Sequence, residues 1–223
     1  MCLADQTITR GRAFDRFINF SDAVTAVAIT LLALPLVNIA TPQGEQSVWD
    51  VIRLNSGAIW AFAITFAVVG TMWKSHARVF QSIQGYDHPM FLLNLAWLAL
   101  IVLLPWPTSL YGTSGNSVHQ SGAPLAGAGL FYWLVLAAIS FLLTAMSIHA
   151  SRTPGLRDEA EMNAHRGGTV RGAAVRGSVF TIACLIIGIA SLFAPIVAEW
   201  LPLVLVPIAI FTNRYQRKQL RST

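Results

Sequence analysis

The chain has 223 residues, of which 55% are apolar and only 11% charged. A soluble domain carries about 25% charged residues, so these residues cannot cover a water-facing surface, and the composition points to a membrane protein. The formal net charge of +5 is spread along the chain and not gathered on one helix or arm, so nucleic acid is not an expected partner and the charge reads as membrane topology.

The stretch around Ser151 to Val175 is the longest without an apolar run and is too short for a core of its own. One domain over 1–223 is therefore expected. Cys2 lies in the polar N-terminus and Cys184 inside an apolar run, which leaves no disulfide framework and no Cys-based metal site to expect. The polar first sixteen residues include Asp5 and Asp15, and no small-residue cleavage site follows the first apolar run. That run is expected to stay as an anchor.

Crossing about 30 Å of hydrocarbon takes about 20 helical residues. Runs of this kind place six spans at about 16–40, 51–74, 88–110, 124–150, 175–197 and 199–214. The last is short: Glu199 to Arg214 rises only about 24 Å, so it spans with local thinning or lies against the other helices. The expected fold class is all-α, a six-transmembrane-helix integral membrane protein with both termini on one side.

The basic residues test that count. Of the 15 Lys and Arg, Arg10, Arg12, Arg16, Lys74, Arg78, Arg152, Arg157, Arg166, Arg171, Arg176, Arg214, Arg217, Lys218 and Arg221 fall in the termini or in the loops after spans two and four. Arg53 alone falls on the other side, where the loops Asn38–Asp50 and Tyr111–Ala123 carry Glu45 and Asp50. The positive-inside rule then makes both termini cytoplasmic. Trp49, Trp73, Trp106 and Trp200 fall near span ends, as interfacial anchors do.

The first span opens with Arg16-Phe17-Ile18-Asn19-Phe20-Ser21-Asp22 and runs straight into apolar sequence. Asp22 sits at the membrane boundary, where a charge is costly and needs a partner. Arg16, six residues away and about 240° round the helix, is not on its face. The second span closes with Trp73-Lys74-Ser75-His76 on the same side. His76 is the natural partner for Asp22, with Asn94 and the Trp73 indole N–H as further donors. Such a cluster can staple three helices, relay protons or contribute to gating. Beyond Asp22, Val27, Thr30, Leu31 and Leu34 fall within about 100° of one another. The stripe suits ordinary helix packing as well as a special surface, and Asp22 is about 140° away from Val27.

Arg16-x-x-x-Phe20-Ser21-Asp22, Trp73-x-x-His76, Leu93-Asn94-Leu95 and Leu103-Leu104-Pro105-Trp106-Pro107-Thr108 together resemble the bacterial members of the endosomal and lysosomal potassium channel family, transmembrane protein 175. The resemblance covers Arg16 to Thr108; the rest agrees mainly in span number. It implies a homotetramer of six-helix subunits whose first helix lines a pore, conducting potassium without a carbonyl filter loop, and no Thr-Val-Gly-Tyr-Gly-like sequence occurs here. It also implies an apolar constriction at Val27, Thr30 and Leu34, within the stripe that includes Leu31. Arg16, Phe20, Ser21, Asp22, Trp73, His76 and Asn94 would form a structural or gating network. Val27 is smaller than the Leu or Ile expected at the first layer, and Ala77 stands where relatives often have a second His.

The function expected is passive, potassium-permeable cation conduction across the cytoplasmic membrane, with no enzyme activity, cofactor or metal. Its partners would be copies of itself, the lipid bilayer and monovalent cations. The rival readings are a secondary transporter, which usually shows broken helices with polar midplane sites, and a non-conducting membrane assembly protein. His88, His119, His149 and His165 lie scattered near span ends or in loops and read as surface residues.

Overall fold

Pro35 and Pro105 divide two apolar runs that the sequence reads as single helices. A computed structural model describes residues 8–39, 46–121, 127–153, 155–157 and 168–193. In it α1 (Arg12–Leu31) passes through a tight turn into α2 (Leu34–Val37). The amides of Leu32 and Ala33 donate to the carbonyls of Ile29 and Thr30, three residues back. Pro35 has no N–H to return to Leu31, and its ring crowds that carbonyl. The expected continuous helix over 16–40 is therefore broken.

The second run is divided at Asn55, where the sequence leads to one helix over 51–74. Ser47 caps α3 (Val48–Leu54) in a reciprocal box with Asp50, and α4 (Ser56–Gln81) continues beyond residue 74. The third run splits into α5 (His88–Leu103) and α6 (Pro105–Ser121). The amides of Leu104 and Thr108 still reach the carbonyls of Leu100 and Leu104, so hydrogen bonding continues across the junction. Helix α6 carries on to Ser121, through residues that the sequence assigns to a loop.

Next come α7 (Ala128–Arg152) and α8 (Gly168–Phe193). Among the described residues five stretches are long and apolar enough to cross a membrane: Arg12–Val37, Ser56–Gln81, His88–Ser114, Ala128–Arg152 and Ala174–Phe193. The expected end of the fifth span and all of the expected sixth lie outside the described residues.

A small antiparallel sheet accompanies the helices. Strand β1 (Thr9–Arg10) pairs with β2 (Gly85–Tyr86) in the register Thr9 to Tyr86 and Arg10 to Gly85. Between β1 and α1 the chain turns at Gly11, whose φ of 66° suits a residue without a Cβ. The Arg10 guanidinium donates to the Gly155 carbonyl at 2.7 Å, and Gln84 N–H donates to the Leu156 carbonyl at 2.8 Å. The start of α1, the end of α4, the start of α5 and the end of α7 therefore meet at one end of the bundle. That end carries Arg10, Arg12, Arg16, Lys74, Arg78, Arg152 and Arg157.

The core centres on α7, where Tyr132, Trp133, Leu136, Ile139 and Met146 are buried. Tyr132 stacks on Tyr111 at 4.7 Å with the rings nearly parallel. Helix α8 lies tightly on α7 because small residues meet there: a Cβ on Gly177 would collide with the Thr144 hydroxyl, and one on Gly188 would come within 3.0 Å of the Trp133 Cβ. In an apolar solvent, close approach of this kind replaces the hydrophobic effect as the reason for helices to associate.

Candidate functional site: the faces of the first span

Helix α1 has two opposite faces. Phe14, Phe17, Ser21, Thr25, Ala28 and Leu32 recur at intervals of three and four residues and are all buried. Turned away from them, Val27 is 59% and Leu34 53% exposed, and Thr30 is exposed with its hydroxyl returned to the Val27 carbonyl at 2.7 Å. Leu31 is half-buried at the edge of this stripe. On a helical wheel Arg16 and Phe20 fall on the same outer face, and both are exposed. Neither joins the polar network among the described residues.

The buried face carries a directional chain of hydrogen bonds. Ser21 donates to its own helix at the Phe17 carbonyl, 3.0 Å away. Its single proton is then committed, so the Asn94 amide nitrogen donates to Ser21 Oγ at 2.8 Å. That leaves Asn94 Oδ1 as acceptor, and His76 Nε2 at 2.7 Å supplies the proton. The His76 ring is sandwiched between Trp97, stacked at 4.3 Å, and Phe80 at 4.4 Å. Three helices, α1, α4 and α5, are joined by side chains that are almost wholly buried.

Asp22 takes a different partner from the one its sequence context suggests. Its Oδ1 accepts from the Trp73 indole N–H at 2.9 Å, near the surface. His76 is occupied by Asn94. Of the seven network residues, Ser21, His76 and Asn94 form one unit and Asp22 and Trp73 a second.

Two polar links escaped the sequence reading. Asp87 caps α5 through the Met90 amide at 2.9 Å, and both of its oxygens face His149 Nε2, at 3.0 and 2.8 Å. The Asp87 side chain is fully buried, so the pair ties the start of α5 to the end of α7. Asp87 ahead of His88-Pro89 is a readable helix start, but nothing local identifies His149 as its partner. Deeper in the bundle, Thr65 donates to the Ala61 carbonyl at 2.6 Å and accepts from Tyr132 OH at 2.8 Å, linking α4 to α7.

These features define an all-α, multi-span membrane protein with a braced inner face and a bare apolar outer face on its first span. Residues 16–105 match the family model described as the endosomal/lysosomal potassium channel TMEM175, and over that segment the chain is similar to this family. It is 31% identical over 142 residues to a potassium channel of Streptomyces collinus, covering 62% of this chain and 65% of that one. A potassium channel of Chamaesiphon minutus is 37% identical over 138 residues, 59% of this chain and 63% of that one. The human endosomal/lysosomal proton channel TMEM175 is 30% identical over 153 residues, 68% of this chain but 29% of that protein. The match thus spans less than two thirds of each of these relatives. The crystal structure of a lysosomal potassium-selective channel TMEM175 homolog from Chamaesiphon minutus covers 91% of this chain and 100% of its own, with a TM-score of 0.69 and 24% identity. A variant of the potassium channel MtTMEM175 covers 97% and 99%, with a TM-score of 0.60 and 19% identity. At those identities the two structures speak for the fold.

Proposed function

We propose that the chain is one subunit of a homotetrameric, potassium-permeable cation channel of the cytoplasmic membrane. In this reading it is a single six-span domain over 1–223 with both termini cytoplasmic. Four first spans surround the path, and Val27, Thr30, Leu31 and Leu34 narrow it. An ion there sheds water with few compensating ligands, so ring width and wetting set the barrier. The observation that carries the reading is the exposed stripe of Val27, Thr30 and Leu34 on the face opposite the buried side of α1. The printed names of the Streptomyces and Chamaesiphon relatives agree with it.

The Ser21–Asn94–His76 chain braces the pore helix and does not feed the path. It ends on the Phe17 carbonyl, on the buried side of α1. Asp22 with Trp73 holds the basic end of α1 against α4. Arg16 and Phe20 lie on the pore-facing side and act in the tetramer.

The test is ion flux from proteoliposomes loaded with potassium. With a counter-ion pathway supplied, potassium leaves without an imposed proton or sodium gradient. Flux that requires such a gradient makes the chain a transporter, and no flux under any gradient makes it an assembly protein. Proton flux without potassium flux assigns it the activity printed for the vertebrate relatives.

A further inference from the structure

A groove of about 570 Å³ runs between α7 and α8 on the outside of the bundle, away from α1. Phe141, Ala145, Ile148 and Ile182 form its apolar walls, with Thr144, Ser178 and Thr181 beside them, and Phe141 and Ile182 are largely exposed. Its basic end is closed by His149 and Arg152. Phe141 to Arg152 rises about 16 Å along α7. That is about half of a 30 Å hydrocarbon layer, so the groove has the depth of one leaflet.

Charge distinguishes the two polar residues at the mouth. His149 is taken up by the buried carboxylate of Asp87. Arg152 is exposed, with no hydrogen bond or ion pair among the described residues. A cation at the membrane boundary above an apolar, one-leaflet slot is complementary to a lipid phosphate and one acyl chain, and basic pockets between spans bind such headgroups. We infer that this groove binds an anionic glycerophospholipid of the basic-side leaflet, its headgroup on Arg152 and a chain along Phe141, Ala145, Ile148 and Ile182. The site is independent of the pore reading, since it lies on the far side of α7 and α8 and its test reads lipid and not ions.

Native mass spectrometry of the purified full chain, given equal phosphatidylglycerol and phosphatidylcholine, tests this. One phosphatidylglycerol per subunit is retained over phosphatidylcholine by about fivefold, the factor that one cation near an anionic surface supplies. Arg152→Gln, an exposed change that leaves the fold intact, removes the preference, and Arg152→Lys keeps it. Ile182→Trp fills the slot and lowers retention of both lipids at an unchanged elution volume. Equal retention of the two lipids by the unaltered chain overturns the inference, as does a preference that survives both Arg152→Gln and Ile182→Trp. Equal retention is the result if protein fills the groove, and a surviving preference is the result if the lipid binds elsewhere.

Discussion

Leu32 and Leu34 stand two residues apart at the end of the first span and face opposite ways: Leu32 is 2% exposed, packed into the core, and Leu34 is 53% exposed. The turn at Leu32 and Ala33 and the proline that follows hold them so. Truncating Leu32 empties a filled site and costs about 2–5 kcal/mol. Leu34→Ala leaves the single subunit almost unaffected, and in the tetramer proposed above it widens the constriction. Bilayer recordings are expected to show raised conductance and weaker discrimination between potassium and sodium for Leu34→Ala. Leu32→Ala is expected to melt at lower temperature with unchanged selectivity. Equal selectivity in the two variants removes Leu34 from the pore.

Asn94 is the middle of the buried chain, so its loss strands two groups at once. Asn94→Leu leaves the Nε2 proton of His76 and Ser21 Oγ without their partner, and each orphaned buried group costs about 1–3 kcal/mol. Trp73→Phe removes only one hydrogen bond near the surface, worth about 1.5 kcal/mol to a charged acceptor. Thermal unfolding of the purified variants should rank Asn94→Leu well below Trp73→Phe. The reverse order would mean that the Asp22 contact is the main brace.

The Asp87–His149 pair should be felt as stability. His149→Ala leaves the buried carboxylate with its Met90 cap alone. A fully buried pair costs about 3–5 kcal/mol to break, and partial exposure of His149 brings the expected loss to about 2 kcal/mol. Asp87→Asn keeps both a capping oxygen and a hydrogen bond to the ring, so it should melt closer to the unaltered chain. A His149→Ala variant with an unchanged melting temperature shows that the pair braces nothing.

On the opposite side of the bundle, Asp50 gives α3 a pH dependence. The Ser47 hydroxyl and the Ser47 amide, at 2.7 and 3.0 Å, hold its carboxyl below the usual carboxylate range, and Arg53 adds to this. A carboxyl lowered in the folded state stabilises above its unfolded value of about 3.9, and that contribution is lost as pH falls through the folded value. Hydrogen exchange should therefore show the amides of Val48–Leu54 losing protection below about pH 4 while α4 keeps its own. Equal protection at pH 3 and pH 6 refutes the cap's role.

The spans were legible because their signal is additive: each depends on many apolar residues and survives a local error. The wheel of α1 by itself sets Leu32 about 160° from Leu34, and their burial and exposure follow that division. Where the reading went astray, one residue outweighed the run. Pro35 ended α1 although apolar residues continued past it. The partners of Asp22 and His76 were not decided by one-dimensional proximity, because Asn94 reaches His76 from another helix and leaves Asp22 to Trp73. His149 lies far along the chain from Asp87, and only the packing of α7 against α5 makes them a pair. The strands β1 and β2 are two residues each, too short for any periodicity to show.

The pairing of β1 with β2 also dictates an order of biogenesis. A nascent chain inserts its first span before α4 and the Gly85–Tyr86 strand have been made, so β1 has no partner while α1 enters the bilayer. Until that strand arrives, β1 stays unpaired, and Asn94 is not yet present to receive His76 or to reach Ser21. The first helix is thus clasped retroactively, once the start of α5 brings strand and brace together.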